Sequence, residues 1–169
     1  MDDQIRGRVW SFGDDINTDL MYPHICYTLP ERDRPKYTMW ANRPGWASEV
    51  KRGDIMVAGR NFGVGSSRPA AANLKGLGIV LVIAESVNGL FMRNAVNCGL
   101  PVLRMDGITQ WIAEGDIIQV DFQHCTVTRE QDGSVREFTG IPDLLMNIVR
   151  SGGIIEVLRS QGYIDSEPL

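Results

Sequence analysis

Ser66, Ser67 and Arg68 follow the pair Gly63-Val64-Gly65 and precede Pro69, and this stretch holds the densest potential chemistry in the chain. Two glycines one residue apart let the backbone turn tightly and approach a ligand closely. Pro69 cannot donate a main-chain hydrogen bond, but its fixed φ suits the first position of a helix that Ala70-Ala71-Ala72-Asn73-Leu74 can continue. The residue before a proline is pushed to extended geometry, as a helix N-cap requires, so Arg68 is expected at the N-cap. Two hydroxyls, a guanidinium and the positive end of a helix dipole then converge on one spot. That combination suits a carboxylate or phosphate. The segment is not a dinucleotide fingerprint, because Arg68 replaces the third glycine, and no Gly-Lys-Ser/Thr follows to make a Walker loop. Taken alone, it is either an anion site or an ordinary flexible loop.

A second segment, Asp14-Asp15-Ile16-Asn17-Thr18-Asp19 followed by Leu20-Met21-Tyr22-Pro23, packs three carboxylates into a short polar turn. A third runs Ala84-Glu85-Ser86, then Phe91, Arg93, Asn94 and Asn97, and closes on Gly99-Leu100-Pro101. In this order and spacing, over residues 7–158, the chain resembles the small-subunit family of 3-isopropylmalate dehydratases. More broadly it is similar to the swivelling domain of the aconitase superfamily.

The resemblance implies dehydration and rehydration of a hydroxy dicarboxylate, isopropylmalate in leucine biosynthesis foremost, with the hydroxyl moving between adjacent carbons. Such a reaction needs a base for a weakly acidic proton beside a carboxylate and a Lewis acid for the departing hydroxyl. In the family a [4Fe-4S] cluster on the large subunit does the second task and a serine alkoxide of the small subunit the first. The matching serine is Ser66. Its alkoxide requires nearby positive charge and amide donors. Arg68 would supply charge and grip a substrate carboxylate, while Ser67, Gly65 and Thr18 would help bind the same anion. Asp19 falls on the family's Thr-Asp signature and would orient the arginine or the serine. Asp14 and Asp15 are expected to shape the turn by bonding their own backbone. For Arg93 and Asn94 a structural role stands beside ligand contact.

Two departures bear on the substrate. Pro69 and Ala70 stand where isopropylmalate enzymes usually carry Glu and then His or Gln. The loop Met21-Tyr22-Pro23-His24-Ile25-Cys26-Tyr27 differs from the family's usual Ile-Ile-Pro and following basic loop. His24, Ile25, Cys26 and Tyr27 are therefore expected to touch the variable end of the substrate. Citramalate, dimethylmalate or homoaconitate chemistry, or a non-catalytic carboxylate-binding module, are the alternatives.

The cofactor and partner expectations follow from the cysteines. Cys26, Cys98 and Cys125 are dispersed without a Cys-x-x-Cys pair, and His24 and His124 offer no metal spacing. A cluster with an open iron needs three thiolates, usually with two close in sequence, so no metal is expected on this chain. The cluster is expected on a large subunit, in a heterodimer or heterotetramer.

The elements that must position these residues follow from periodicity. Strands are expected over residues 5–12, 54–59, 79–84 and 101–105, the third as a continuous apolar run buried on both faces. A helix over residues 87–97 carries an apolar stripe and stops at Gly99. A β-rich section follows over residues 116–138 around the turn Asp132-Gly133, then a helix opened by Pro142 and, after Gly152-Gly153, a last short helix. Residues 28–51, with three prolines, suggest a mobile surface segment with some helix from Tyr37. This pattern gives an α/β or α+β fold in one domain over residues 1–169. The resemblance implies a layered β/β/α swivel domain around a barrel-like sheet.

Composition sets the outer bounds. A chain of 169 residues with 43% hydrophobic and 22% charged residues is ordinary for a globular domain. A net charge of −4 argues against nucleic acid as a partner. There is no apolar run of membrane-spanning length, and the N-terminus lacks the features of a signal peptide, so a cytoplasmic protein is expected.

Overall fold

The computed structural model describes residues 3–65 and 68–165. The chain opens with β1 (Gln4–Ser11), whose inward and outward residues alternate until Val9 and Trp10, both buried. β2 (Ile55–Ala58) and β3 (Leu81–Ala84) are buried at every position. This is the pattern of strands covered on both faces. β1, β2, β3 and β4 (Val102–Arg104) pair in parallel. On the other side of β1 come three antiparallel strands, β5 (Ile117–Asp121), β6 (Thr126–Arg129) and β7 (Val135–Glu137). The order is β4-β3-β2-β1-β5-β6-β7, a single seven-stranded sheet curled into a half-barrel.

Period two along β2 and β3 divides the interior. Met56, Ala58, Val82 and Ala84 face one core with Trp10, Phe12, Trp46, Phe62, Leu74 and Phe91. Ile55, Val57, Leu81 and Ile83 face the other, with Val9, Ile118, Val120, Val127, Met146 and Val149. The first core is covered by α1 (Thr18–Met21), α2 (Trp46–Glu49), α3 (Ala70–Leu77) and α4 (Gly89–Asn97). The second is closed by α5 (Ile108–Trp111) and α6 (Asp143–Arg150), and a last helix, α7 (Ile154–Ser160), contacts α4 and α6.

Residues 28–51 depart in part from the sequence expectation. After the 3-10 turn His24–Thr28 they form a second, Glu31–Tyr37, which packs on α3, and then α2. Met39, Thr38 and Trp46 are fully buried. The Trp46 ring meets Trp10 and Phe12 edge-on, at centroid distances of 6.0 and 5.1 Å. The segment lies at the surface as expected, but Thr38, Met39 and Trp46 anchor it to the core, while the Glu31–Tyr37 turn buries none of its own side chains. Nearby, Asp54 accepts from Arg8 Nη2, Trp10 Nε1 and Lys51 N, joining β1 to the entry of β2.

Candidate active site

Parallel strands deliver their following loops to one end of the sheet, and ligands of such folds gather there. Three loops meet at this end: residues 12–19 after β1, 59–65 after β2 and 85–88 after β3. They continue the main-chain ladder of the sheet. Phe12 N donates to Val57 O, Gly59 N to Gly13 O, Asp15 N to Arg60 O, Gly63 N to Ile16 O and Thr18 N to Val64 O, all within 3.1 Å. On the other side Phe62 N donates to Ser86 O and Asn88 N to Phe62 O. The glycine loop is therefore held from both flanks.

The two glycines are required. Gly63 (φ 77°) lies so close to the Phe91 ring that a Cβ would collide with it. At Gly65 (φ 112°) a Cβ would come within 3.2 Å of Thr18 Oγ1. Thr18 itself is buried.

Asn17 caps α1, its side chain accepting from Leu20 N, and places Asp19 in the first turn. Arg68 Nε pairs with Asp19 Oδ1 at 2.7 Å, and Arg68 Nη1 donates to the Tyr22 carbonyl at 2.9 Å. The Tyr27 ring lies 5.6 Å from the same guanidinium. The Asp19 side chain is 58% exposed and that of the arginine 19%, so the carboxylate faces solvent while the arginine is largely covered. α3 begins at Ala70 with Pro69 in the capping position, one residue later than expected, and Ala70 N donates to Arg68 O. Arg68 precedes the cap, and its side chain is free to reach back to α1. Ser66 and Ser67 lie outside the described residues.

The substrate-loop residues divide. His24, Ile25 and Tyr27 are exposed, and Tyr27 stacks edge-on against Tyr22 at 5.2 Å and near His24 at 5.7 Å. Cys26 is fully buried and turns its Sγ toward the Arg34 carbonyl, so it cannot touch a ligand at the mouth. Burial pushes its thiol pKa up, against the opposing pull of Arg34 and Arg68. The expected contact therefore narrows to His24, Ile25 and Tyr27. Asp14 and Asp15 also differ from expectation: they bond across to the other loop, Asp14 Oδ1 accepting from Arg60 N and Asp15 Oδ1 from Asn61 Nδ2. Sequence reasoning also missed Asn73, a buried amide on an alanine-rich helix whose signal was its polarity among apolar neighbours. Arg93 is exposed on α4, and Asn94 is half-buried.

The chain's thiols do not fit an iron–sulfur cluster. Cys26 sits in the first 3-10 turn, Cys98 follows α4 with Sγ on Ala95 O, and Cys125 lies in the β5–β6 turn with Sγ on Phe122 O. Among the described residues no group of His, Cys, Asp or Glu converges to hold a metal, and no helix is long and apolar enough to cross a membrane. A cavity of about 740 Å³ lies away from these loops and is lined in part by Arg6, Arg52, Lys75 and Arg150. Lys75 Nζ donates there to the Cys98 and Gly152 carbonyls, as a cation does at helix C-termini.

The aconitase C-terminal domain model matches residues 16–107, a span that carries the second and third loops and the Thr18-Asp19 end of the first. The isopropylmalate/citramalate isomerase small subunit of Methanocaldococcus jannaschii is 39% identical, over 93% of this chain and 95% of its own length. The chain belongs to the 3-isopropylmalate dehydratase small-subunit family. A small subunit of the family from Methanopyrus kandleri, 3-isopropylmalate dehydratase small subunit 1, is 38% identical over 96% of each chain. The crystal structure of 3-isopropylmalate dehydratase from Methanocaldococcus jannaschii superposes with a TM-score of 0.88 over 95% of this chain and 96% of that one, at 31% identity. The half-barrel and its covering helices are thus the fold of the family.

Proposed function

We propose that this chain is the small subunit of a two-subunit hydro-lyase that isomerises 3-isopropylmalate and 2-isopropylmalate in leucine biosynthesis by dehydration and rehydration. The observation that carries the reading is the Arg68–Asp19 pair beside Gly65, both residues lying within the matched family domain. The names of the relatives support a large subunit as partner, and the placement of the cysteines supports a cluster on that partner. The bound cluster supplies the Lewis acid that holds the departing hydroxyl.

This chain's own residues then supply the base and the anion grip. Ser66 takes the proton from the carbon beside the substrate carboxylate onto its Oγ and returns it in the reverse addition. Arg68 holds positive charge on the loop next to that serine and attracts the carboxylate. Asp19 and the Tyr22 carbonyl turn its guanidinium and stop it swinging into solvent. Val64, Leu90, Ile25 and Tyr27, exposed apolar side chains on or beside the site loops, suit coverage by the large subunit. An open mouth cannot exclude water from a hydroxyl-transfer reaction, and such coverage would do so.

The name of the M. jannaschii relative, which includes citramalate, favours a second substrate with a methyl in place of the isopropyl group. The test is co-expression with the cluster-bearing large subunit. Turnover of isopropylmalate and citramalate is then followed through the absorbance of the unsaturated acids. Activity that requires both chains supports the proposal; a complex inactive on every C4–C7 hydroxy dicarboxylate overturns it.

A further inference from the structure

Asp15 and Asn61 both adopt φ of 58°, a left-handed conformation costly for most L-residues but tolerated by Asp and Asn. They stand at the same rung of the ladder, since Asp15 N donates to Arg60 O at 2.8 Å. Both loops therefore kink together and stay bonded beyond the kink, through Gly63 N to Ile16 O at 2.7 Å and Thr18 N to Val64 O at 2.9 Å. Side chains fasten the rung. Asn61 Nδ2 donates to Asp15 Oδ1 at 2.9 Å, and Arg60 N donates to Asp14 Oδ1 at 2.7 Å. Asn61 N is in turn held by Ser86 Oγ at 2.8 Å. Gly59 leaves the space into which Asp14 reaches, for a Cβ there would collide with the Asp14 carboxylate.

We propose that Asp15 and Asn61 are positioning residues for the reaction, their side-chain bond locking two matched kinks. That lock sets the register between Thr18-Asp19 on one loop and Val64 and Gly65 on the other, the turn from which the chain leads on to Arg68. A slip at this rung would part Asp19 from Arg68, whose Nε contact spans only 2.7 Å. The proposal rests on the reading of the site as a hydro-lyase half-site.

The two residue types allow a test by exchange. Asp15→Asn keeps an acceptor for Asn61. Asn61→Asp sets two carboxylates face to face, and the double exchange, Asp15→Asn with Asn61→Asp, restores a donor–acceptor pair with its polarity reversed. Amide hydrogen exchange at Gly63 and Thr18 in the full chain should quicken roughly tenfold in Asn61→Asp, while Phe12 within the same ladder stays unchanged. In the assembled complex kcat should fall roughly tenfold with KM within about twofold, and the double exchange should restore both readouts. Unchanged exchange at Gly63 and Thr18 in Asn61→Asp, or a double exchange as impaired as that single variant, overturns the proposal. If the wild-type complex turns over no substrate, the reading of function fails, and the exchange data still decide whether this pair sets the register.

Discussion

Asn73 and Thr38 meet in the interior, Nδ2 of Asn73 donating to Thr38 Oγ1 at 2.7 Å while it also donates to the Met21 carbonyl at 2.7 Å. Both side chains are buried, and the contact ties α3 to the end of α1 and to the segment after the second 3-10 turn. The Tyr22 carbonyl that holds Arg68 is the next residue along. The posture of the arginine thus depends on an amide deep under the site.

Asn73→Leu keeps the branched heavy-atom shape, with bulkier methyls in place of the amide, but strands the Met21 carbonyl and the Thr38 hydroxyl without this donor. Each buried orphan costs about 1–3 kcal/mol, so the urea midpoint should drop sharply with an unchanged m-value. Equilibrium urea unfolding followed by circular dichroism measures it. A midpoint equal to that of the wild type would show the amide to be dispensable.

Arg68→Lys keeps the charge but loses the planar fork that bonds Asp19 and Tyr22 at once. It should lower kcat/KM for every hydroxy dicarboxylate by a similar factor, corresponding to roughly 1.5–3 kcal/mol for lost charged hydrogen bonds. A panel of substrates assayed with the assembled complex checks this, and a reordered panel would assign the arginine to specificity instead.

Tyr27→Ala should do what Arg68→Lys does not. Its exposed ring lies against Tyr22, near His24 and beside Arg68, so in the proposed function it is the side chain that meets the substrate's variable group. Removing it should change the ratio of kcat/KM between isopropylmalate and citramalate by about 10-fold or more, the scale of a lost apolar contact. A uniform loss across both acids would contradict this.

The isolated chain should bind no stoichiometric iron after anaerobic treatment with iron and sulfide. Its three thiols lie in separate elements, and Cys26 and Cys98 are held in the protonated range by burial. Iron and acid-labile sulfide analysis, with absorbance in the visible range, provides the measurement. A full cluster on this chain alone would remove the partner from the cofactor's role.

Asp54 yields a prediction in pH. Burial would raise its carboxyl, but Arg8, the Lys51 N–H and Trp10 Nε1 together hold it below the usual carboxylate range. With the folded value below the unfolded one, its stabilisation is complete above about pH 4 and fades as pH falls through the folded value. Asp54→Asn should cost about 2 kcal/mol at pH 7, and the gap to wild type should shrink steadily below pH 4. Urea midpoints of both proteins between pH 7 and pH 3 test the sign; a gap that widens toward acid would reverse it.

Much of this structure was legible from residue order alone. β2 and β3 read as doubly buried strands because continuous apolar runs have few other uses, and the hairpin around Asp132-Gly133 followed from its turn chemistry. The glycine loop and the Thr18-Asp19 turn were visible as motifs, and the structure brings them within hydrogen-bonding distance. Residues 28–51 read as surface and most of them are, but their anchoring was hidden, because Met39 and Trp46 find their partners only across the fold. Asp14 and Asp15 look like self-contained turn formers until the parallel pairing lays Arg60 and Asn61 beside them. Cross-loop bonds of this kind have no local spacing to betray them.

β1 belongs to both halves of the sheet, bonded in parallel to β2 and antiparallel to β5. Every group assigned to the chemistry leaves the parallel side, and the matched domain ends at residue 107, before β5 begins. The two halves therefore carry different structural demands. The parallel half must keep three loops in register, while β5, β6 and β7 need only continue to pair with one another and with β1. The exposed Asp132-Gly133 tip of the antiparallel half is thus the place to graft a tether or reporter domain, far along the sheet from the three site loops.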